Sequence, residues 1–178
     1  KMKFEEFELE RNQSLFEHKV DYNLSESGLH PLALKNILRE DELKELIDTE
    51  IIYGHTTGTP LLREKIADLY NNATVDNVLA TSGSAEANFV AVMTMLEPGD
   101  ELIYMVPNYL QIRGIARSFG VLVKELPLQE ESGWQWDIDH LESLISSKTK
   151  MACITHMSNV FGSIIDVKKI CKALRERG

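Results

Sequence analysis

The feature that most constrains this chain is a regular alternation of short apolar runs with stretches of helical periodicity. β-branched and aliphatic runs predict strands over Val78–Thr81, Glu101–Val106, Val121–Leu126 and Lys150–Thr155. The spacing between them predicts helices over Ala85–Leu96, Tyr109–Phe119, Asp137–Ser146 and Asp166–Arg177. Strands that alternate with helices of about a dozen residues form a parallel sheet covered on both faces. We therefore predict an α/β fold.

The first half of the chain is less regular. Apolar side chains at helical spacing predict an exposed helix with one apolar face over residues 3–18, followed by an irregular segment over residues 23–32. Two short helices are predicted next, one around Leu34–Leu38 and one around Leu43–Ile47. Thr59 followed by Pro60 predicts another helix start, because a hydroxyl caps the first turn and proline fits its first position.

Composition excludes several classes of partner. The chain has 28 acidic and 19 basic residues and a net charge of −9, which argues against nucleic-acid and membrane partners. Its longest apolar runs fall short of the roughly 18 residues that span a bilayer. The five histidines show no metal-ligand spacing, so we expect no metal site. Cys153 and Cys171 lie in apolar stretches, which indicates a reducing, cytoplasmic setting.

Ligands of parallel sheets bind where strands lead into helices, and three predicted strand exits have unusual residues there. The first exit is Thr81-Ser82-Gly83-Ser84-Ala85. It is either a phosphate-binding turn at a helix N-terminus or a tight turn with a serine cap.

The second exit has an aromatic residue and the third an amide. Tyr109 either stacks on a planar ligand or packs beneath the next helix. Asn159 either bonds a phenolic or carboxylate oxygen or closes an Asx turn. Taken together, a phosphate turn, an aromatic ring and an amide on neighbouring strand ends describe a pocket for a planar phosphorylated cofactor.

Four motifs occur in an order and spacing that resemble those of a known family. They are Asn23-Leu24-Ser25-Glu26-Ser27-Gly28, Tyr53-Gly54-x-x-x-Gly58-x-x-x-Leu62-Arg63, Thr81-x-Gly83-Ser84-Ala85-x-x-Ala87-Asn88 and Leu96-x-Pro98-Gly99-Asp100-x-Leu102-x-x-x-x-Pro107-x-Tyr109. Over nearly the whole chain this resembles the fold type I pyridoxal-phosphate enzymes, specifically the class I and II aminotransferases. The resemblance implies a three-layer αβα domain, present as its N-terminal half. It further implies a helix and small-domain segment over residues 1–48 and part of the cofactor-binding large domain over residues 49–178.

The resemblance also implies a cofactor, substrates and site residues. The cofactor is pyridoxal 5′-phosphate, the substrates are an amino acid and a 2-oxo acid, and the assembly is a homodimer. The implied site residues are Ser82, Gly83, Ser84 and Ala85 at the phosphate, Tyr109 against the ring, Asn159 at its phenolic oxygen, Tyr53 at the phosphate of a neighbouring subunit, and Ser27 and Gly28 at the substrate carboxylate.

Two departures from the family pattern affect these expectations. Family members are about twice as long, and the lysine that binds the cofactor covalently has no counterpart here. The available lysines lie at predicted strand ends or helix faces: Lys148, Lys150, Lys168, Lys169 and Lys172. We therefore expect aminotransferase activity of a longer parent enzyme and none of this chain alone. In addition, His156-Met157-Ser158-Asn159-Val160-Phe161-Gly162 replaces a proline-rich run. Together with Ile164–Lys172 behind it, this segment, near residues 156–172, looks more like class V relatives such as cysteine desulfurases.

Two alternative functions stay open at this point. One is a cysteine desulfurase-like lyase, which requires an exposed, activated thiolate. Cys153 lies in a predicted strand and Cys171 in a predicted helix, so both are interpreted as small core residues. The other alternative is a non-catalytic module or a part of a larger enzyme.

Overall fold

The structure is a computed structural model that describes residues 4–25, 28–29 and 31–177. The α-helices are α1 (Glu8–Phe16), α2 (Glu40–Asp48), α3 (Pro60–Ala67), α4 (Ser84–Met95), α5 (Gln111–Ser118), α6 (Ile138–Leu144) and α7 (Val167–Arg177). The strands are β1 (Glu101–Val106), β2 (Leu122–Pro127) and β3 (Thr149–Cys153). Short 3₁₀ turns cover Leu34–Asn36, Val75–Asn77 and Glu130–Ser132.

The three strands form a parallel sheet in the order β2-β1-β3. β1 pairs with β2 from Glu101 opposite Leu122 to Val106 opposite Pro127. On its other side, β1 pairs with β3 up to Tyr104 opposite Cys153. All three strands therefore end at the same side of the sheet, which we call its carboxyl end. The predicted α/β fold with parallel strands is confirmed.

Two apolar clusters cover the two faces of the sheet, because successive side chains of β1 point to opposite sides. On one face, Ile103 and Met105 pack with residues of α6 and α7. On the other face, Leu102 and Tyr104 pack with residues of α4 and α5. These four β1 side chains have no solvent exposure. The sheet thus lies between two helical layers, as predicted.

One predicted strand and one predicted helix are wrong. Val78 has extended backbone angles, but Val78–Thr81 does not pair with the sheet in the described part of the chain. Its Ala80 N–H donates instead to Thr57 O at 3.0 Å. The residues of Val78–Thr81 favour an extended backbone. A β-strand also needs a neighbouring strand to pair with, and a local sequence pattern does not identify one. The helix predicted around Leu34–Leu38 is the single 3₁₀ turn Leu34–Asn36.

The chain forms two compact units, one from Lys1–Asn23 with Gly83–Gly178 and the other from Leu24–Ser82. In the second unit, the Arg63 side chain connects three segments of the chain by hydrogen bonds. Its guanidinium donates to Val78 O at 2.9 Å, to Thr57 Oγ1 at 3.2 Å, and to Val75 O. Gly58 has φ +98°, and a Cβ at this position would lie 2.6 Å from the Ala80 Cβ, so this close approach requires glycine. The predicted division of the chain near residue 48 stays a prediction.

A charged cluster joins the strands at the amino end of the sheet, opposite the carboxyl end. The buried Glu101 carboxylate contacts Lys124 Nζ at 2.6 Å and accepts hydrogen bonds from Ser146 Oγ at 2.5 Å and Thr149 Oγ1 at 3.2 Å. The hydrogen bonds from Lys124 and Ser146 lower the pKa of Glu101 below its ordinary value. The carboxylate therefore stays ionised at neutral pH and links β1, β2 and the start of β3.

Candidate functional site

The first strand-exit motif forms the start of α4. Gly83 precedes the helix with φ +90°, and Ser84 and Ala85 begin it with exposed side chains. A Cβ on Gly83 would meet nothing within 4 Å, so backbone conformation rather than space requires glycine here. The first backbone N–H groups of a helix point out of its N-terminus, where the helix dipole is positive. This turn therefore has the geometry that binds an anion.

Tyr109 lies three residues after the end of β1, and two hydrogen bonds hold its backbone. Its N–H donates to Asn108 Oδ1 at 2.7 Å, and its carbonyl accepts a hydrogen bond from the Tyr104 hydroxyl. Burial raises the pKa of Tyr104 far above its ordinary value, so this hydroxyl remains a donor. The Tyr109 side chain is 38% exposed, which leaves ring surface available to a ligand.

Gln111 connects the first exit to the second. Its Nε2 donates to Ala85 O at 2.9 Å, and its Oε1 accepts from Asn88 Nδ2 at 3.1 Å. Gln111 is the first residue of α5 and lies two positions after Tyr109. The N-terminus of α4 is therefore held beside the carboxyl end of β1.

A second hydrogen bond connects the third exit to the second. Thr155 Oγ1, two residues after β3, donates to Asn108 Oδ1 at 2.6 Å. The following loop closes on itself around the buried Ser158, whose N–H donates to Ser163 O at 3.0 Å and whose carbonyl accepts from Gly162 N at 2.8 Å. Asn159 lies at the exposed turn of this loop.

The structure thus brings three of the predicted groups to one end of the sheet: Ser84 with Ala85, Tyr109, and the loop that carries Asn159. Tyr53, Gly28 and Ser82 belong to the other compact unit. In that unit Tyr53 is fully exposed, and Gly28 and Ser82 are exposed as well. Ser27 lies outside the described residues. The individual roles of these residues stay predictions.

The residues at the carboxyl end fit a planar phosphorylated ligand by their chemistry. A helix N-terminus offers N–H donors to a phosphate, Tyr109 offers a flat ring face, and Asn159 offers an amide. Asn108 Nδ2, at the junction of two exits, is buried and has no hydrogen-bond partner among the described residues. A buried donor of this kind is costly unless a ligand or water satisfies it.

None of the five lysines considered as cofactor-binding residues belongs to this group of candidate site residues. Lys148 and Lys150 are exposed at the amino end of β3. Lys168, Lys169 and Lys172 are exposed on α7. Of these, Lys169 Nζ lies 5.5 Å from the centre of the Trp136 ring, and Lys172 pairs with Glu176 at 3.7 Å. Within the described residues, there is no group of three or more histidine, cysteine or acidic side chains arranged to hold a metal.

Sequence reasoning did not assign a role to the residues that connect the exits. Asn108 follows the predicted strand Glu101–Val106, and Thr155 is the last residue of the predicted strand Lys150–Thr155, so their positions near strand ends were a usable signal. Gln111 gave no such signal, because its partner Ala85 lies 26 positions away along the chain. The helices of the described residues include none long and apolar enough to cross a membrane.

Comparison with known proteins gives one consistent family. The sequence model described as "Aminotransferase class I and II" matches residues 22–177, including the loop that resembles class V enzymes. Capreomycidine synthase from Streptomyces vinaceus is 28% identical over 85% of this chain and 39% of its own length. An aspartate aminotransferase from Pyrococcus horikoshii is 30% identical over 70% of this chain and 33% of its own length.

A solved structure gives the same result for the fold. A PLP-dependent aminotransferase from Streptococcus suis superposes with a TM-score of 0.91 at 29% identity. The superposition covers 99% of this chain and 50% of that one. The chain therefore spans about a third to a half of the length of these proteins.

Proposed function

This chain belongs to the class I and II aminotransferases, a family of pyridoxal-phosphate-dependent enzymes, and on that premise we propose that it is the amino-terminal part of an amino-acid aminotransferase. The observation that carries the proposal is the pair of hydrogen bonds, Gln111 to Ala85 and Thr155 to Asn108, which bring the start of α4 and the exits of β1 and β3 to one end of the sheet. The proposed substrates are an amino acid and a 2-oxo acid, with Gly28 near the substrate carboxylate.

In this proposal the protein binds and orients the cofactor. Pyridoxal phosphate, when bound, supplies the electron sink that makes the α-proton of an amino acid removable. The N-terminus of α4, with Ser84, holds the phosphate through backbone N–H groups and a hydroxyl. Tyr109 covers one ring face and excludes water from it, and the Asn159 amide donates to the phenolic oxygen. Because the lysines Lys148, Lys150, Lys168, Lys169 and Lys172 are exposed at other positions, we expect this chain to bind the cofactor without transaminating.

The desulfurase-like alternative is weakened by the burial of Cys153. Burial raises the pKa of Cys153 to about 11, so this thiol is protonated at neutral pH and is a poor nucleophile. The prediction that Cys171 is a small core residue is wrong: it is an exposed free thiol, because Ile170 and Ala173 form the buried side of α7 and Cys171 lies outside it. Free thiols at both positions support the proposal that the protein works in a reducing compartment such as the cytoplasm.

We expect pyridoxal phosphate to bind at the start of α4, and Ser84→Glu tests this. A carboxylate at this position repels the phosphate, and we expect affinity to fall at least about tenfold, equivalent to about 1.4 kcal/mol. The same charge at a helix N-terminus is favourable to the helix, so the fold should be retained. Equilibrium dialysis with pyridoxal phosphate measures the loss.

Thr94→Glu is the matched control, since it places the same charge near the other end of α4 on an exposed residue. Its affinity for pyridoxal phosphate should stay within about twofold of wild type. Pyridoxal without the phosphate should bind the wild type and Ser84→Glu equally. Equal losses in both variants, or no binding by the wild type, would show that the proposal is wrong.

We further propose that the protein is a homodimer in which Tyr53 reaches the phosphate of the partner. The support is the exposure of an apolar stretch beside it: Ile51, Ile52 and Tyr53 are 104%, 76% and 103% exposed. Ile51→Asp should weaken the dimer at least about tenfold in sedimentation equilibrium, because a charge would be buried at the interface. Tyr22→Asp, 85% exposed in the other compact unit, is the control. A monomer at all concentrations would contradict the proposal.

A further inference from the structure

The amino-terminal segment, residues 4–16, packs on α5 and is anchored there by ion pairs. Glu5 contacts Arg113 at 2.9 Å and Arg117 at 3.2 Å, and Glu125 of β2 contacts the same two arginines at 3.5 and 3.1 Å. The Glu5 and Arg113 side chains are only 32% and 21% exposed. A network of four charges with limited solvent access holds its geometry better than an isolated surface pair. We call this segment the amino-terminal strap.

The strap reaches the ring of Tyr109. The Phe7 ring lies edge-on to Tyr109, with ring centres 4.9 Å apart and planes inclined by 70°. This is a favoured geometry for two aromatic rings. Burial raises the pKa of Tyr109, and the Glu10 carboxylate, one turn further along the strap, acts in the same direction.

Backbone and ring of Tyr109 are thus held by different parts of the chain. Tyr104 and Asn108, from β1 and its exit, hold the backbone of Tyr109. Phe7 of the strap contacts the ring. A backbone anchor alone leaves both side-chain torsions of a tyrosine free, whereas a contact at the ring restricts them. A stacking residue binds a flat ligand best when its orientation is fixed before the ligand arrives.

We propose that Phe7 is a positioning residue, which orients the Tyr109 ring for stacking on the cofactor, and that the Glu5 ion pairs hold the strap in place. The stacking part rests on the proposed function, whereas the orientation of the ring does not. The strap acts only through Tyr109 and makes no contact with the cofactor in this proposal.

Phe7→Ala tests the proposal with two readouts on the full chain. The first is ¹⁹F NMR of the protein labelled with fluorotyrosine, in which Tyr109→Phe assigns the Tyr109 signal among the five tyrosines. The second is equilibrium dialysis with pyridoxal phosphate. We expect the Tyr109 signal to shift and broaden, and cofactor affinity to fall about three- to tenfold. Phe7→Tyr keeps the ring and should restore both readouts.

Phe16→Ala is the matched control, because Phe16 is an aromatic residue of the same strap that is 53% exposed. It should leave both readouts at wild-type values. An unchanged Tyr109 signal in Phe7→Ala would overturn the positioning role. An unchanged cofactor affinity in Phe7→Ala would also overturn the positioning role, provided that Tyr109→Ala weakens cofactor binding. If Tyr109→Ala itself leaves the affinity unchanged, the stacking role in the proposed function is wrong, and positioning for the cofactor is wrong with it. Circular dichroism verifies the fold of each variant, and Phe7→Leu replaces Phe7→Ala if the latter is unfolded.

Discussion

Replacing Leu102 by alanine is expected to lower the free energy of unfolding by about 2–5 kcal/mol. Leu102 has no solvent exposure and lies in β1, the central strand of the sheet. Its side chain belongs to the cluster that also contains Val92 and Ile115, from the two helices on that face. Alanine loses the transfer free energy of the removed carbons and leaves a cavity that the surrounding side chains fill only in part. Since small domains are stable by about 5–15 kcal/mol, this one change removes a large share of the total.

Urea denaturation followed by circular dichroism measures this loss. Leu122→Ala is the matched control, since Leu122 is the first residue of β2 and its side chain is 55% exposed. We expect the control to cost less than about 1 kcal/mol. A comparable loss in both variants would contradict the placement of β1 at the centre of the core.

Arg63→Ala is expected to destabilise the Leu24–Ser82 unit by about 2–4 kcal/mol, because hydrogen bonds to a charged group contribute about 1.5–3 kcal/mol each and are not additive. The Arg63 side chain is 18% exposed, and its guanidinium joins α3 to Thr57 and to the carbonyls of Val75 and Val78. Without it, those carbonyls lose their charged donor and the extended segment after Val75–Asn77 loses its anchor to α3.

Hydrogen exchange at the Ala80 N–H reports this change directly, because that group donates to Thr57 O. A loss of about 2–4 kcal/mol corresponds to exchange that is roughly thirty- to a thousandfold faster. Arg39→Ala is the control in the same unit, with a side chain that is 72% exposed and paired to Asp41. It should cost less than about 0.5 kcal/mol. Equal exchange rates in Arg63→Ala and wild type would show that Arg63 does not hold this segment.

Local patterns were sufficient wherever the structure is determined by burial and by helix ends. The apolar runs and helical spacing predicted β1 and α4 to within one residue at each end. Thr59 and Pro60 predicted the start of α3, and Thr59 Oγ1 accepts the Leu62 N–H at 3.4 Å as a cap does. Local patterns failed at Val78–Thr81, where the sequence favours an extended backbone but strand pairing depends on the rest of the fold.

The candidate residues of the site could be named from the sequence, but the contacts between them could not. The tyrosine after β1 and the asparagine after β3 follow from the rule that loops at strand ends bind ligands, and the glycine and serine at the start of α4 follow from the anion-binding property of helix N-termini. Their connections depend on packing: Thr155 and Asn108 are 47 positions apart, and Glu5 and Arg113 are 108 apart. The periodicity of residues 3–18 predicted a helix with an apolar face, but the partner of that face only follows from the three-dimensional structure.

The charged cluster around Glu101 has a consequence for how enzymes built on this sheet can diversify. It lies at the amino end of β1, and the candidate ligand groups lie at the other end, about 20 Å away for a six-residue strand. Because Glu101 is paired with Lys124, the two opposite charges largely cancel at such a distance. Loops that select a substrate can therefore accumulate changes in charge and size while the strands stay in register. With the charged cluster at one end of the sheet and the candidate ligand groups at the other, one scaffold can support many substrate specificities.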